Sequence, residues 1–171
     1  AEARDRRARD QVADLVGGNI TPTSVNLLWT APGDDGMSGI ATSYDIRYST
    51  SLAVLQNWTS ATQLSNEPTP TPAGTQQSYT VTGLNSGTTY FFAVKTADEV
   101  PNWSAISNVA TTSTSNDATA PAAVANLNII LPTVTTLTLI WTAPGDDGTT
   151  GTATTYDIRY STSLITSSNF A

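Results

Sequence analysis

Apolar and polar residues alternate with a period of two in several short segments of the first hundred residues. Residues 25–29 place three large apolar side chains on one face of an extended chain, and residues 44–48 alternate apolar with charged side chains. A period of two is typical of a half-buried β-strand. Stretches rich in Pro, Gly and Asp, such as residues 31–39, separate these segments and favour turns. The predicted strands lie at residues 12–16, 25–29, 44–48, 58–64, 78–84, 89–96 and 106–112. Seven short strands separated by turns predict a sandwich of two β-sheets.

Two segments of the chain occur twice at the same spacing. Residues 29–36 (Trp-Thr-Ala-Pro-Gly-Asp-Asp-Gly) are repeated unchanged at residues 141–148, which is 112 positions later. Residues 44–52 (Tyr-Asp-Ile-Arg-Tyr-Ser-Thr-Ser-Leu) are repeated at residues 156–164 with the same offset. Identity over such segments indicates a tandem duplication. The repeating unit is therefore a domain of about a hundred residues followed by a short linker.

The order and spacing of these motifs resemble bacterial fibronectin type III domains. The resemblance covers residues 12–112 and the second copy to its end. It implies an all-β, immunoglobulin-like sandwich with Trp29 in the core on strand B, and with Tyr90 forming a tyrosine corner beside Leu84. The residues that carry the resemblance are Trp29, the Tyr-x-Ile-x-Tyr motif at 44–48, the pair Leu84 and Tyr90, and Asp-Glu-Val-Pro-Asn-Trp-Ser at 98–104.

The second copy has counterparts for only part of the first. At the offset of 112, Ala171 corresponds to residue 59, so the second copy is expected to contain strands A, B and C and the start of strand C′. The predicted organisation is a flexible leader at residues 1–11, a complete domain at 12–112, a linker at 113–121 and a partial domain at 122–171.

The partial domain is expected to present an apolar face that no second sheet covers. A few strands with an open apolar face are not expected to be stable alone. Three explanations stay open: the sequence is a fragment of a longer repeat array, another chain supplies the missing strands, or the partial domain docks on the first. The residues of this face, which are candidates for an interaction, are Leu139, Trp141, Tyr156, Ile158 and Tyr160, with Leu127 and Ile129 beside them.

The composition argues against catalysis and against nucleic-acid binding. The chain has no His and no Cys, which removes the commonest general base and two principal ligands of transition metals. Its net charge is −7, and four of its seven basic residues lie in the first nine positions, so the acidic remainder repels phosphate backbones. No stretch approaches the roughly 20 apolar residues of a membrane span. We expect a protein without catalytic activity, cofactor, nucleic-acid partner or membrane insertion.

Two acidic loops are weak candidates for a calcium site. Asp34 and Asp35 in the first copy, and Asp146 and Asp147 in the second, lie within Pro-Gly-Asp-Asp-Gly. Carboxylate and carbonyl oxygens are the ligands that Ca²⁺ prefers, but each loop supplies only two carboxylates, without a regular Asp-x-Asp spacing. The favoured interpretation is that Asp and Gly shape a turn.

Trp103 is the remaining candidate for binding. It lies close to Asp98 and Asn102 in the predicted loop between strands F and G, where it could stack on a sugar ring or anchor a protein partner. Packing against the edge of the domain is the favoured interpretation, since the same ending is common in the family that the chain resembles. Trp58 and its counterpart Phe170 are expected to pack in the core or beside strand C′.

These observations predict a structural or adhesive spacer of a secreted or cell-surface bacterial protein. The first alternative is a subunit of an extracellular assembly or filament, in which a neighbouring chain completes the second domain. The second alternative is a carbohydrate-binding accessory domain with a polysaccharide as its partner. The partners expected are therefore proteins, including further copies of this chain, or polysaccharides.

Overall fold

The computed structural model describes residues 11–35, 37–100 and 102–170. The predicted leader at residues 1–11 lies, except for Gln11, outside the described residues. The chain divides into two compact units, Ala1–Asp117 and Ala118–Ala171, and each is described by itself. No helix among the described residues has both the length and the apolar character needed to cross a membrane.

Two antiparallel sheets form the described part of the first unit. The strands are β1 (Val16–Gly18), β2 (Ser24–Thr30), β3 (Ser43–Ser49), β4 (Thr62–Gln63), β5 (Gln76–Thr82), β6 (Thr89–Ala97) and β7 (Ala110–Ser113). One sheet has the order β1-β2-β5 and the other has the order β4-β3-β6-β7. Every pairing within them is antiparallel. The predicted fold class, an all-β sandwich, is confirmed.

The core lies between the two sheets and contains the apolar faces that the period of two predicts. Val25, Leu27 and Trp29 of β2 are buried, and their neighbours along the strand are half-buried. Ile46 and Phe92 enter the same core from the other sheet and have no exposed surface. Burying one such large apolar side chain contributes about 1.5–3 kcal/mol, so this interface supplies much of the stability of the unit.

Two aromatic arrangements expected from the sequence are present. The Tyr90 hydroxyl accepts a hydrogen bond of 2.9 Å from the backbone N–H of Asn85, and Leu84 beside it is buried. This is the predicted tyrosine corner. Trp29 lies in the core and meets Tyr44 edge to face, with ring centroids 5.2 Å apart. Both interpretations of the aromatic residues are confirmed.

The segment between β3 and β5 differs from the single strand predicted at residues 58–64. It contains a short helix α1 (Leu52–Gln56), a 3-10 turn (Trp58–Ser60) and the two-residue strand β4. Leu55 of α1 is 1% exposed and packs beside Ala93 of β6. A helix of five residues is too short to show a period of 3.6, so the sequence pattern did not indicate it.

The first strand begins later than the predicted range of 12–16. Val12 and Leu15 precede β1 and are buried. The side chain of Asn108 holds this segment, since it accepts a hydrogen bond from the N–H of Leu15 and donates one to its carbonyl oxygen, both at 2.8 Å. A side-chain amide here takes the place of a partner strand, which a pattern of apolar residues cannot show.

The second unit contains one strand pair among its described residues. β8 (Asn128–Ile130) and β9 (Thr138–Ile140) are antiparallel. The residues that pair in β8 and β9 correspond, at the offset of 112, to those that pair in β1 and β2. The two units therefore pair these strands in the same register.

A third strand expected in the second unit is not found among its described residues. Residues 156–160 repeat the sequence of residues 44–48 but belong to no sheet. In the first unit β3 pairs along its whole length with β6, and these hydrogen bonds satisfy its backbone. The described part of the second unit offers residues 156–160 no such ladder, so the expectation of a strand here is wrong for this structure.

Candidate interaction surfaces

A charged cluster surrounds Trp58 on the outer face of the four-stranded sheet. Arg47 Nε lies 2.9 Å from Asp45 Oδ1, and the indole N–H of Trp58 donates to Asp45 Oδ2 at 2.9 Å. Arg47 also donates to the carbonyl oxygen of Trp58 at 2.8 Å. Arg47 Cζ and Lys95 Nζ lie 5.2 and 4.9 Å from the centroid of the Trp58 ring. The aromatic ring thus contacts two cations, as in cation–π interactions.

Asp45, Arg47 and Trp58 hydrogen-bond to one another, and Arg47 also donates to the side-chain oxygen of Gln63 at 3.4 Å. Both oxygens of Asp45 accept from Arg47, and one of them also accepts from Trp58. Asp45 is only 7% exposed, and a buried carboxylate is tolerated when it is paired and hydrogen-bonded. The cluster therefore fastens the segment around Trp58 to β3. Trp58 was expected to pack in the core or beside strand C′, and it lies half-buried against the small apolar cluster of Leu55, Ala61 and Ala93.

A similar cluster recurs in the second unit, and the sequence reasoning missed both. Arg159 Nη2 lies 2.9 Å from Asp157 Oδ2, and Arg159 donates to the carbonyl oxygen of Phe170. Arg159 Cζ lies 4.9 Å from the centroid of the Phe170 ring. The side chain of Phe170 has no N–H to donate, so Asp157 lacks a counterpart of the bond that the Trp58 indole donates to Asp45. The signal in the sequence was Asp-x-Arg, followed eleven residues after the Arg by an aromatic residue, in both copies.

An open apolar cleft of about 770 Å³ lies in the second unit. The rings of Trp141 and Tyr156 meet edge to face, with centroids 5.4 Å apart. Leu139 and Trp141 are half-buried, whereas Ile158 is 59% and Tyr160 is 98% exposed. All five interaction candidates of this unit line the cleft together with Leu127, Ile129, Ile165 and Phe170. The structure therefore brings the predicted apolar residues to one surface.

Trp103 lies on a turn that Asp98 organises. Asp98 Oδ1 accepts from the backbone N–H groups of Val100 and Asn102 at 3.1 and 2.9 Å, and Oδ2 accepts from the side-chain amide of Asn102 at 3.1 Å. Trp103 pairs with Ala97 through an isolated β-bridge. Its side chain is 48% exposed. The backbone of Trp103 is thus fixed at the sheet edge while half of its surface is available for a contact.

The two Pro-Gly-Asp-Asp-Gly loops use their first Asp in the same way. Gly39 has a φ of +77° and Gly151 has a φ of +79°. A Cβ at either glycine would overlap the carboxylate of Asp34 or Asp146, respectively. These carboxylates therefore lie directly against a left-handed glycine, where no other residue fits.

The calcium site stays an untested prediction for these loops. Among the residues that the structure describes, no three acidic side chains come together as metal ligands would. In the second loop the backbone N–H of Asp147 donates to the carboxylate of Asp146 at 3.1 Å. Such a bond is a means by which Asp shapes a turn, which agrees with the favoured interpretation.

Residues 10–112 match the family model described as the fibronectin type III domain. The chain belongs to the fibronectin type III family. This match covers both sheets of the first unit and agrees with the resemblance drawn from residues 12–112. Membership in the family accounts for the order of the strands, for the buried Trp29 and for the tyrosine corner at Tyr90.

Known relatives of this fibronectin type III chain are much longer proteins. Chitinase A1 of Niallia circulans is 34% identical over 168 residues, which cover 92% of this chain and 20% of that protein. Calcium-activated chloride channel regulator 1 of Mus musculus is 30% identical over 146 residues, which cover 77% of this chain and 16% of that protein. The chain thus spans a fifth or less of the length of these relatives.

Solved structures also resemble this chain. The crystal structure of an Fn3-like protein from Clostridium thermocellum is 21% identical to it, with a TM-score of 0.43. The alignment covers 61% of this chain and 91% of that protein's chain.

Proposed function

We propose that the chain is a non-catalytic spacer module, structural or adhesive in role, of a secreted or cell-surface bacterial protein. A fibronectin type III domain at residues 12–112 separates other parts of a longer protein. Residues 113–121 link it to a partial second copy at residues 122–171. The function of such a module is to hold its ends at a fixed distance.

The observation that carries this proposal is the self-contained packing of the first unit. Its two sheets cover each other, and Ile46 and Phe92 between them have no exposed surface. On its outer face Asp45 and Arg47 satisfy each other and hold Trp58. A domain packed in this way resists changes in the distance between its first and last strands. This rigidity is what a spacer requires.

The similarity to chitinase A1 supports a place outside the cell. The similar region covers 92% of this chain but only 20% of that protein, so it is a small part of an enzyme named for chitin. Chitin is an insoluble polymer that an enzyme meets outside the cell. A spacer is useful there because it lets a catalytic part reach along a surface while another part stays attached.

The test compares residues 11–117 with a Gly/Ser linker of the same number of residues. Each is inserted between a chitinase catalytic domain and a chitin-binding domain. We expect faster hydrolysis of insoluble chitin with the folded unit, because a flexible linker does not hold the domains apart. Rates on soluble chitooligosaccharides should be equal and serve as the control. Equal rates on insoluble chitin would contradict the spacer function.

A second candidate is a subunit of an extracellular assembly, favoured by the exposed cleft of the second unit. Ile158 and Tyr160 present large apolar surfaces there, and a neighbouring chain would cover them. Light scattering after size exclusion tests this candidate. A discrete dimer or filament that dissociates in Ile158→Asp would support it. A monomer of 17.9 kDa at every concentration would exclude it.

A third candidate is a carbohydrate-binding role, favoured by the half-exposed Trp103. An aromatic ring fixed at a sheet edge can stack on the apolar face of a sugar. The whole chain is passed over insoluble chitin, together with the Trp103→Ala variant. Retention that the substitution abolishes would support this role, and no retention of the unmodified protein would end it.

A further inference from the structure

Four buried polar side chains lie on two cross-strand pairs at one end of the core of the first unit. In one sheet, Trp29 of β2 lies directly opposite Gln77 of β5. In the other sheet, Tyr44 of β3 lies directly opposite Thr96 of β6. Residues opposite each other in a ladder project from the same face, and the Trp29 and Tyr44 rings touch across the core. The two cross-strand pairs therefore face each other between the sheets.

Each of these side chains carries a buried polar atom that lacks a hydrogen-bond partner within the described part of the chain. The four residues are between 1% and 8% exposed. The amide nitrogen of Gln77 donates to the carbonyl oxygen of Thr69 at 3.4 Å, so it is the oxygen of that amide that stays unpaired. The four atoms are Trp29 Nε1, Tyr44 Oη, Gln77 Oε1 and Thr96 Oγ1.

The burial of these groups makes their pairing energetically important. Burial raises the pKa of Tyr44, and the nearby Trp29 N–H offsets this in part. The indole N–H and the phenol oxygen thus lie close together without reaching the geometry of a hydrogen bond. An unpaired polar group in a protein interior is strongly unfavourable. Four such groups on two cross-strand pairs that face each other indicate a polar partner between the sheets.

We propose that this end of the core is a binding site for internal water, which joins the two sheets. A water molecule donates two hydrogen bonds and accepts two. The indole of Trp29 only donates, the amide oxygen of Gln77 only accepts, and the hydroxyls of Tyr44 and Thr96 do either. The four groups therefore match the bonding capacity of one water, or of two waters in contact.

Buried loop residues close this site at the end of the sandwich. Ala31, Pro32 and Gly33 follow β2, Ala41 precedes β3, and all four are buried. They lie where the strands that carry Trp29 and Tyr44 leave the sheets. These buried residues flank the end of the core at which the four polar side chains lie.

The substitution Thr96→Val tests the site because it removes the hydroxyl and keeps the shape of the side chain. With water bound, the variant loses a hydrogen bond, and its unfolding equilibrium constant rises about tenfold. In a dry site the same substitution removes an unpaired hydroxyl and stabilises the protein. Denaturant titration of the whole chain distinguishes these two outcomes by their sign.

Thr114→Val is the matched control. Thr114 is 4% exposed, and its hydroxyl has direct protein partners, since it donates to the carbonyl oxygen of Asn85 at 2.6 Å and accepts from the N–H of Thr88 at 3.0 Å. The stability lost in Thr114→Val measures the cost of removing a hydroxyl that has direct protein partners. We expect Thr96→Val to destabilise the first unit to a similar degree.

A high-resolution crystal structure provides the direct observation. We expect an ordered oxygen atom within about 3 Å of at least three of the four polar atoms. A core without that oxygen overturns the proposal. A Thr96→Val variant at least as stable as the unmodified protein overturns it as well.

Discussion

Residues 44–52 and 156–164 have the same nine-residue sequence and different structures. In the first unit this sequence forms β3 and leads into α1, and Ile46 has no exposed surface. In the second unit it belongs to no sheet, and Ile158 is 59% exposed. The alternation of apolar and polar residues is identical, so the difference arises from β6, which pairs with β3 in the first unit.

Other contacts are the same in both units. The two Trp–Tyr edge contacts have centroid distances of 5.2 and 5.4 Å, and both Asp–Arg pairs measure 2.9 Å. These contacts join residues that are close in the sequence. The ladder found in only one unit joins Ser43 to Ala97, which are far apart. Local contacts therefore follow from the repeated sequence, whereas the third strand requires a distant partner.

The strongest test of this comparison adds the partner strand. Residues 60–113 of this chain, appended after Ala171, would give residues 156–160 a neighbour like β6. We expect them to form a strand, and their amide hydrogen exchange to slow by about a thousandfold or more, because the ladder then opens only by unfolding of the unit. A matched extension with Ser at the position equivalent to Phe92 should give much weaker protection. Unchanged exchange at residues 156–160 would refute the role given to β6.

The next largest difference is expected between the stability effects of the same substitution at the equivalent positions Ile46 and Ile158. Ile46→Ala removes a fully buried side chain, and we expect it to lower the free energy of unfolding by about 3–4 kcal/mol. Ile158→Ala changes an exposed residue, and we expect a change of less than about 0.5 kcal/mol. Denaturant unfolding of both variants measures the difference. Equal effects would mean that Ile158 is as well covered in solution as Ile46.

The two Asp–Arg ion pairs should also differ in how much they contribute to stability, although by less than the core residues do. The side chains of Arg47 and Asp45 are 15% and 10% exposed, whereas those of Arg159 and Asp157 are 43% and 57% exposed. Asp45→Asn should cost about 2 kcal/mol of stability, because it weakens the bonds of a buried cluster. Asp157→Asn should cost less than about 0.5 kcal/mol, as is usual for exposed pairs. Thermal unfolding measures both losses of stability. Similar losses would contradict the difference in burial between the two pairs.

The smallest effect is expected at Asp14, whose counterpart in the second unit is an Asn. Burial acts to raise the pKa of Asp14, but its hydrogen bonds from the hydroxyl and N–H of Thr30 prevail and lower it overall. Asn126 contacts the same two groups of Thr142: its Oδ1 accepts from the N–H at 2.9 Å, and its amide donates to the hydroxyl at 2.6 Å, the reverse of the bond between Thr30 and Asp14. The substitution Asp14→Asn should therefore keep the geometry and change the stability at neutral pH by only about 0.5 kcal/mol.

The pH dependence of stability distinguishes the Asp14 contact to Thr30 from the same contact made by an Asn. A carboxyl whose pKa is lowered in the folded state stabilises the fold above its unfolded pKa, and this contribution is lost as the pH falls through its folded pKa. Unfolding curves of the unmodified protein and of Asp14→Asn should thus converge as the medium is made more acidic. A stability difference that does not change with pH would contradict this assignment.

The sequence predicted the parts of the fold that depend on repeating patterns. The strands around Trp29 and Ile46, and the tyrosine corner at Tyr90, follow from alternation and from the family resemblance. The role of Asn108, which binds the backbone of Leu15 across 93 residues, does not follow from either. A single polar residue that replaces a partner strand leaves no periodic signal.

The candidate surfaces were predictable to a similar extent. The apolar residues of the second unit, Tyr160 among them, were identified from alternation, and they line one cleft. The cluster of Asp45, Arg47 and Trp58 was missed because charged residues on alternate strand positions usually indicate a solvated face. Its recurrence at the offset of 112 was the available signal. The set of buried polar groups on Trp29, Tyr44, Gln77 and Thr96 could not be inferred, because it depends on how the two sheets face each other.

The register shared by β1–β2 and β8–β9 bears on the order in which the chain folds. Each pair is closed by a short connection, residues 19–23 in one case and residues 131–137 in the other. Closing a short loop costs little chain entropy, whereas pairing Ser43 with Ala97 must first close a much longer one. Non-local pairings of this kind set the folding rate of β-sandwiches. We therefore expect the first two strands to pair early, and the non-local pairings of β2 with β5 and of β3 with β6 to form later.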